Sequence, residues 1–134
     1  MTIADYDEVH ALWRTTQGVG LDESDEREPT ERYLQRNPGL SLVGTDADHH
    51  IIAAVLCGHD GRRGYLSHLA VAEHARGAGL GQRIVERCLD SLAGLGVQKC
   101  NVRIFADNGS AAAFWRRMGF ADRSDLAVMQ RFTR

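Results

Sequence analysis

The chain has 134 residues, of which 43% are hydrophobic and 25% charged, and its formal net charge is −2. This length fits one domain with its own core, and the near-neutral charge does not indicate a nucleic-acid partner. No apolar run approaches the roughly 20 residues that span a membrane. The N-terminus lacks the basic start and apolar stretch of a secretory signal.

The charge is divided unevenly between the two halves of the chain. Residues 1–60 carry 12 acidic and 4 basic side chains, a net charge of −8, whereas residues 61–134 carry 6 acidic and 12 basic ones, a net charge of +6. Such asymmetry fits either two differently charged ligands or two solvated faces. The three widely spaced cysteines, Cys57, Cys88 and Cys100, predict neither a disulfide framework nor a metal site, and they suit a reducing cytoplasm.

The predicted elements begin with helices and continue with strands. A capping-box pattern at Asp5 and Glu8 predicts the first helix, and Pro29 opens the second. Short apolar stretches separated by polar or glycine-bounded turns predict the strands, the first two as an antiparallel hairpin. In chain order the elements are helices 5–16 and 29–35, strands 40–44, 51–57 and 65–71, a helix from 80 to Gly94 or Gly96, strand 100–105, a helix over 110–118 capped by Ser110, and strand 127–132.

A long helical crossover joins strands 65–71 and 100–105. Such a connection makes the two strands parallel neighbours. The expected fold is therefore of the α/β (α+β) class, with a mixed sheet and helices on its faces.

The most informative segment is the loop Arg76-Gly77-Ala78-Gly79-Leu80-Gly81-Gln82, between a strand and an amphipathic helix. Its glycines let a ligand approach backbone N–H groups closely, and the helix N-terminus favours an anion such as pyrophosphate. The spacing excludes the dinucleotide pattern G-x-G-x-x-G, because Gln82 and Ile84 stand where glycine is needed. A P-loop is excluded because the chain has no Gly-Lys-Ser/Thr.

The remaining pattern is R-x-x-G-x-G, formed by Arg76, Gly79 and Gly81 after the strand Leu69-Ala70-Val71. A second block reads Asn108-x-x-Ala111-x-x-Phe114-Trp115-x-x-x-Gly119-Phe120. With these two blocks the sequence resembles the GNAT superfamily of acyl-CoA-dependent N-acetyltransferases, roughly from Leu40 to Phe132.

The resemblance implies a mostly antiparallel mixed sheet in which two parallel strands splay apart. It also implies one acetyltransferase domain over 1–134, with helices 5–36 forming the acceptor side and 64–120 the acetyl-CoA-binding core. The family's usual first strand is expected either to be reduced to residues 1–4 or to lie upstream of the given start.

The resemblance further implies acetyl-CoA as co-substrate, no metal, and an amine acceptor, which is a small molecule, a peptide N-terminus or a lysine. Backbone groups at Leu69 and Val71 would pair with the pantetheine arm, and loop amides would hold the pyrophosphate. The expected cofactor-binding residues are Leu69, Ala70, Val71, Arg76, Gly77, Ala78, Gly79, Leu80, Gly81, Gln82, Asn108, Ala111, Phe114 and Trp115.

For catalysis the resemblance implies that the backbone amide of Leu69 donates to the developing oxyanion. Trp115 stands where the family usually has a tyrosine acid. An indole cannot release a proton near neutral pH, so Trp115 is expected to line the pantetheine channel.

The sequence offers several candidates for the general base. Strand alternation places Tyr65, Ser67 and Leu69 on one face and His68 on the other, unless a bulge reverses His68. Asn101 replaces a glutamate that some family members use, and a water chain remains an alternative. The candidate catalytic residues are therefore the Leu69 amide, Ser67, Tyr65 and His68.

The acidic segment 22–31 would lie on the acceptor side. We expect its carboxylates either to attract a cationic amine or to form an ordinary solvated loop. A homodimer paired through C-terminal strands is a further expectation from the resemblance, with no nucleic-acid or membrane partner. The alternative functions are an acyl-CoA-binding module without turnover and, ranked last, a nucleic-acid-binding domain.

Overall fold

The computed structural model describes residues 1–134, which form four helices and one four-stranded sheet. None of the helices combines the length and hydrophobicity needed to cross a membrane. The elements are α1 (Tyr6–Thr15), α2 (Arg27–Arg36), β1 (Leu42–Thr45), β2 (Ile51–His59), β3 (Gly64–Val71), α3 (Leu80–Gly94), β4 (Cys100–Val102) and α4 (Gly109–Arg117).

The strands lie in the order β1-β2-β3-β4. The first two pairings are antiparallel and the pairing of β3 with β4 is parallel, as the helical crossover predicted. The mixed sheet, the parallel pair and the helices on both faces are thus confirmed.

Two buried clusters show which helices cover which face of the sheet. The side chains of Ala54 and Leu56 in β2 pack with Val9 and Trp13 of α1. The alternate residues of β2, among them Val55, pack with the apolar face of α3 and with the Trp115 ring of α4. Because both faces of β2 are covered, this strand is apolar at nearly every position.

A β-bulge at His68 interrupts the alternation of β3. Ala70 pairs with Ala54 while Ser67 pairs with Leu56, so β3 contains one extra residue. His68 has a φ of +53°, a left-handed conformation that is uncommon for residues other than glycine. The bulge shifts the alternation by one residue.

Because of this shift, the residues of β3 are divided between the two faces of the sheet differently from the prediction. Leu66 packs in the α3 cluster, whereas Ala70, an even number of residues further on, packs in the α1 cluster. Leu69 packs against the α3 cluster, and His68 contacts Trp13 of α1. The regular alternation that placed Leu69 on the face of Ser67 and turned His68 away is therefore wrong for β3, and the alternative of a bulge at His68 is confirmed.

β4 is shorter than the predicted strand 100–105. It pairs with β3 only from Gly64 to Leu66, and it ends at Val102. Beyond the bulge, β3 has no strand on that side. The two parallel strands therefore separate and leave a cleft.

The predicted last strand, 127–132, is wrong, because residues 120–134 contain no helix or strand. Val128, Met129 and Phe132 are largely exposed. A strand needs a partner, and β4 ends too early to provide one.

Two details at helix and chain starts also differ from expectation. Asn108, rather than Ser110, caps α4, because its Oδ1 accepts the N–H of Ala111 at 3.1 Å. Ile3–Asp5 forms a 3₁₀ turn, so residues 1–4 do not form the reduced first strand.

Candidate functional site

The cleft between β3 and α4 contains a cavity of about 1100 Å³. Its walls are the open end of β3, the loop before α3, the start of α4 and the loop after α1. The lining residues used below are Gln17, Gly18, Leu69, Val71, Arg76, Gly77, Gly79, Leu80, Gly81, Gln82, Phe105, Asn108, Ala111, Phe114, Trp115 and Arg117.

The loop before α3 presents a row of free backbone donors. None of the six N–H groups from Gly77 to Gln82 donates to another protein atom. Gly77 and Gly79 have φ values of +83° and +78°, and a Cβ built on either would meet no atom within 4 Å. The glycines are therefore needed for backbone conformation, and the open space before the helix N-terminus suits an anion.

Arg76 is held beside this row of donors. Its Nε donates to the carbonyl oxygen of Val71 at 2.9 Å, which leaves the guanidinium Nη groups free. Arg117 lines the same cavity from the end of α4. Two cations and six amides thus surround a space that can accept several phosphate oxygens.

The peptide between His68 and Leu69 is turned out of the plane of the sheet. The indole Nε1 of Trp13 donates to the carbonyl oxygen of His68 at 3.0 Å, on the α1 side. In a trans peptide the N–H points opposite to the C=O, so the Leu69 N–H points away from Trp13, toward the cleft that Leu69 lines.

A second cavity, of about 500 Å³, adjoins the first. The two share seven wall residues, namely Gln17, Gly18, Leu69, Phe105, Asn108, Ala111 and Trp115. The second cavity is also lined by Ser67, His68 and Arg103 and by residues that are small or apolar, namely Val19, Gly20, Val102, Ile104 and Val128. Leu69 therefore lies where the two spaces meet.

His68 is hydrogen-bonded to a buried carboxylate. Its Nε2 lies 2.6 Å from Oδ1 of Asp25, in the 3₁₀ turn Glu23–Asp25 before α2. Asp25 is only 7% exposed, and its Oδ2 accepts the N–H of Asp22 at 2.9 Å. The imidazole also packs edge-to-face on Trp13, with ring centroids 5.1 Å apart.

Residues 6–120 match the sequence profile of the acetyltransferase (GNAT) family. The chain is 32% identical over 110 residues to N-alpha-acetyltransferase 30 of Schizosaccharomyces pombe, covering 75% of this chain and 73% of that protein. The chain belongs to the acetyltransferase (GNAT) family. An acetyltransferase of Yersinia pestis is 26% identical, with 95% of this chain and 89% of that one covered.

The fold agrees with this membership. The NatC complex bound to Gag peptide and CoA contains a chain with a TM-score of 0.74 and 21% identity, covering 90% of this chain and 79% of that one. As a GNAT acetyltransferase, the protein transfers an acetyl group from acetyl-CoA to an amine. The row of free amides and the two arginines fit the diphosphate of that co-substrate.

Most of the predicted cofactor-binding residues line the larger cavity. Twelve of the fourteen do so. Ala70 does not, because the bulge turns its side chain into the α1 cluster, and Ala78 lies in the loop outside the lining. Among the proposed catalytic residues, Ser67, His68 and Leu69 line the second cavity, whereas Tyr65 lines neither.

Two parts of the site were missed by sequence reasoning. The loop after α1, with Gln17 and Gly18, lines both cavities. Asp25 is buried against His68, whereas the sequence predicts for the whole segment 22–31 either attraction of a cationic amine or an ordinary solvated loop. The spacing of Asp22 and Asp25 predicts the capping box that is observed. It does not indicate that the Asp25 carboxylate also contacts His68 in β3.

The cysteines lie outside both cavities. Cys57 and Cys88 are buried in the core, and burial raises the pKa of the Cys100 thiol to about 11. Because the thiolate is the reactive form, Cys100 is a poor nucleophile, and the buried Cys57 and Cys88 are out of reach of a substrate in either cavity. This environment is consistent with direct transfer.

The turn between β1 and β2 groups Asp46, Asp48 and His50 closely enough for a metal ion. However, Oδ1 of Asp46 already accepts the N–H groups of His50 and Asp48, at 3.0 and 2.9 Å. These backbone hydrogen bonds lower the pKa of the Asp46 carboxyl. The group is thus explained as the cap of an exposed turn.

Proposed function

We propose that the acceptor amine binds in the second cavity and attacks acetyl-CoA whose thioester lies at Leu69. The observation that carries this proposal is the junction of the two cavities at Leu69, where the backbone N–H points into the cleft. In this arrangement donor and acceptor approach from opposite sides, so no covalent enzyme intermediate is needed.

Each part of the site then has a chemical role. The amides from Gly77 to Gln82 and the Arg76 guanidinium bind the diphosphate. The Leu69 N–H donates to the thioester oxygen as negative charge develops on it. His68, in the acceptor cavity, accepts a proton from the ammonium form of the acceptor. The CoA thiol has an ordinary pKa near 8.5, so the thiolate can leave without a protein acid.

We propose a cationic acceptor, with the α-amine of a peptide as the first candidate. The relative from Schizosaccharomyces pombe is named an N-alpha-acetyltransferase, and the NatC structure contains a peptide. Asp22, Glu23 and Glu26, which lie within three positions of Asp25 in the chain, are exposed and can attract a cation. A lysine side chain or a small-molecule amine is the alternative.

The test is CoA release, measured with a thiol reagent, in the presence of acetyl-CoA and a panel of amines. The panel contains peptides with free or blocked N-termini, lysine-containing peptides and small amines. Turnover that requires a free peptide N-terminus supports the proposed acceptor. Acetyl-CoA binding without turnover of any amine would instead favour an acyl-CoA-binding module.

We also propose that two copies of the chain associate through the C-terminal segment. Leu126, Val128, Met129 and Phe132 are 63 to 94% exposed, and a second copy would remove them from water. Light scattering of the purified protein tests this association. A cytoplasmic location is proposed as well, because all three thiols are free.

A further inference from the structure

The Asp25 carboxylate is buried, although its segment is otherwise exposed. A buried charge is costly unless hydrogen bonds compensate for it. Here Oδ1 contacts His68 Nε2 at 2.6 Å, and Oδ2 accepts the Asp22 N–H at 2.9 Å. Both oxygens therefore have fixed partners, one on the sheet and one in the turn.

These partners determine which nitrogen of neutral His68 carries the proton. An ionised carboxylate can only accept hydrogen bonds, so Nε2 must be the protonated nitrogen and Nδ1 must be the acceptor. Nδ1 has no protein partner, yet no buried side-chain nitrogen or oxygen atom lacks one. Nδ1 is therefore accessible, and His68 lines the acceptor cavity.

Trp13 also restricts the orientation of the His68 imidazole. Trp13 packs edge-to-face on the imidazole and donates to the His68 carbonyl oxygen. The left-handed backbone at His68 costs about 1 to 2 kcal/mol, and such strain is often found at functional sites. The imidazole is thus held in one orientation, with Nε2 on Asp25 and with the accessible Nδ1 on a residue that lines the acceptor cavity.

We infer that Asp25 is a positioning residue that holds His68 in the Nε2–H tautomer, leaving Nδ1 to accept the proton of the acceptor. This role rests on the proposed function of His68 as the proton acceptor. The ammonium gives one proton to Nδ1, and the amine nitrogen forms a C–N bond with the thioester carbon. The C–S bond breaks, the thiolate leaves with the electron pair and takes the second proton, and His68 returns its proton to water.

Asp25→Asn tests this role with little change in shape. The Asp22 N–H requires an oxygen, so it orients the new amide with its NH₂ group toward His68. An NH₂ donor makes Nε2 the acceptor and moves the proton to Nδ1. Both hydrogen bonds remain, but the nitrogen in the cavity is no longer basic. We expect kcat to fall about 100-fold, with an unchanged KM for acetyl-CoA.

Two further variants complete the kinetic test. Asp90→Asn is the matched control, because it removes an exposed carboxylate from α3, and it should retain wild-type kinetics. His68→Asn removes the base, and asparagine tolerates a positive φ. The double variant of Asp25 and His68 should be no slower than His68→Asn alone, because the two residues act as one unit. Losses that multiply in the double variant would contradict the positioning role.

A second measurement gives its first result on the wild-type protein, before any variant is made. In ¹⁵N NMR of the wild-type protein, neutral His68 should be protonated at Nε2, and in Asp25→Asn at Nδ1. If the Asp25–His68 hydrogen bond were purely structural, Asp25→Asn would lower the stability of the protein without changing the His68 tautomer. A wild-type Nδ1–H tautomer, or wild-type kcat in the folded Asp25→Asn protein, would overturn the inference. Failure of the wild-type protein to acetylate any amine would instead count against the proposed function.

Discussion

Replacing Gly81 with leucine is expected to separate folding from acetyl-CoA binding. Gly81 is the second residue of α3, and a Cβ built there would lie 3.6 Å from Val71 and 3.7 Å from Phe114, which are ordinary contacts. Glycine is a poor helix former by roughly 0.8 to 1 kcal/mol relative to alanine. The free variant should therefore be at least as stable as the wild type, while the rest of the leucine side chain occupies the cleft.

The expected ligand effect can be calculated. At 100 times its Kd, acetyl-CoA should stabilise the wild-type protein by about 2.7 kcal/mol. For 134 residues, the unfolding entropy is about 0.28 kcal/mol per kelvin, so the melting temperature should rise by about 10 °C. If binding becomes 100-fold weaker, the same concentration adds about 0.4 kcal/mol, which corresponds to about 1.5 °C.

The assay is thermal unfolding with and without acetyl-CoA. Gly94→Leu is the matched control, because Gly94 lies at the other end of α3 and has no atom within 4 Å of a built Cβ. It should keep the full 10 °C rise expected from the linkage relation. A Gly81→Leu protein that retains the wild-type rise would refute the placement of the diphosphate at this helix N-terminus.

Three further predictions concern the acceptor, the thiols and the indole. The triple variant Asp22→Asn, Glu23→Gln, Glu26→Gln should raise KM for a cationic amine at low salt; an unchanged KM would reject steering. Because burial raises the pKa of Cys100 to about 11, iodoacetamide at pH 8 should alkylate it slowly, and mass spectrometry should detect no acetyl-cysteine during turnover. Trp115→Phe should raise KM for acetyl-CoA without altering the pH dependence of kcat, whereas an altered dependence would make the indole part of proton transfer.

The glycine-rich loop could be predicted from sequence because its function depends on local properties. Gly77 and Gly79 have the positive φ values that only glycine adopts easily, and α3 begins immediately afterwards at Leu80. A residue pattern over a few positions therefore specifies both the turn and the row of free amides. The start of α4 could likewise be predicted from a local sequence pattern, although its cap is Asn108 rather than Ser110.

From the sequence, a bulge at His68 could be named only as an alternative to regular alternation, because its cause lies outside β3. Histidine is enriched at positive φ relative to most residues, but this preference is too weak to specify a bulge. The conformation is stabilised by Trp13, which is 55 positions away in the sequence, and by Asp25, which is 43 positions away. Counting alternate positions along one strand cannot detect such contacts.

The bulge at His68 produces three features of the site at once. It turns the His68 carbonyl toward Trp13, and therefore the Leu69 N–H toward the cleft. It places the imidazole on the α1 side, within reach of Asp25. It also coincides with the end of pairing to β4, which opens the space between the parallel strands. A regular β3 would return the Leu69 N–H to the plane of the sheet and turn the imidazole away from Asp25, so the proposed oxyanion donor and the proposed base both depend on the strained backbone at His68.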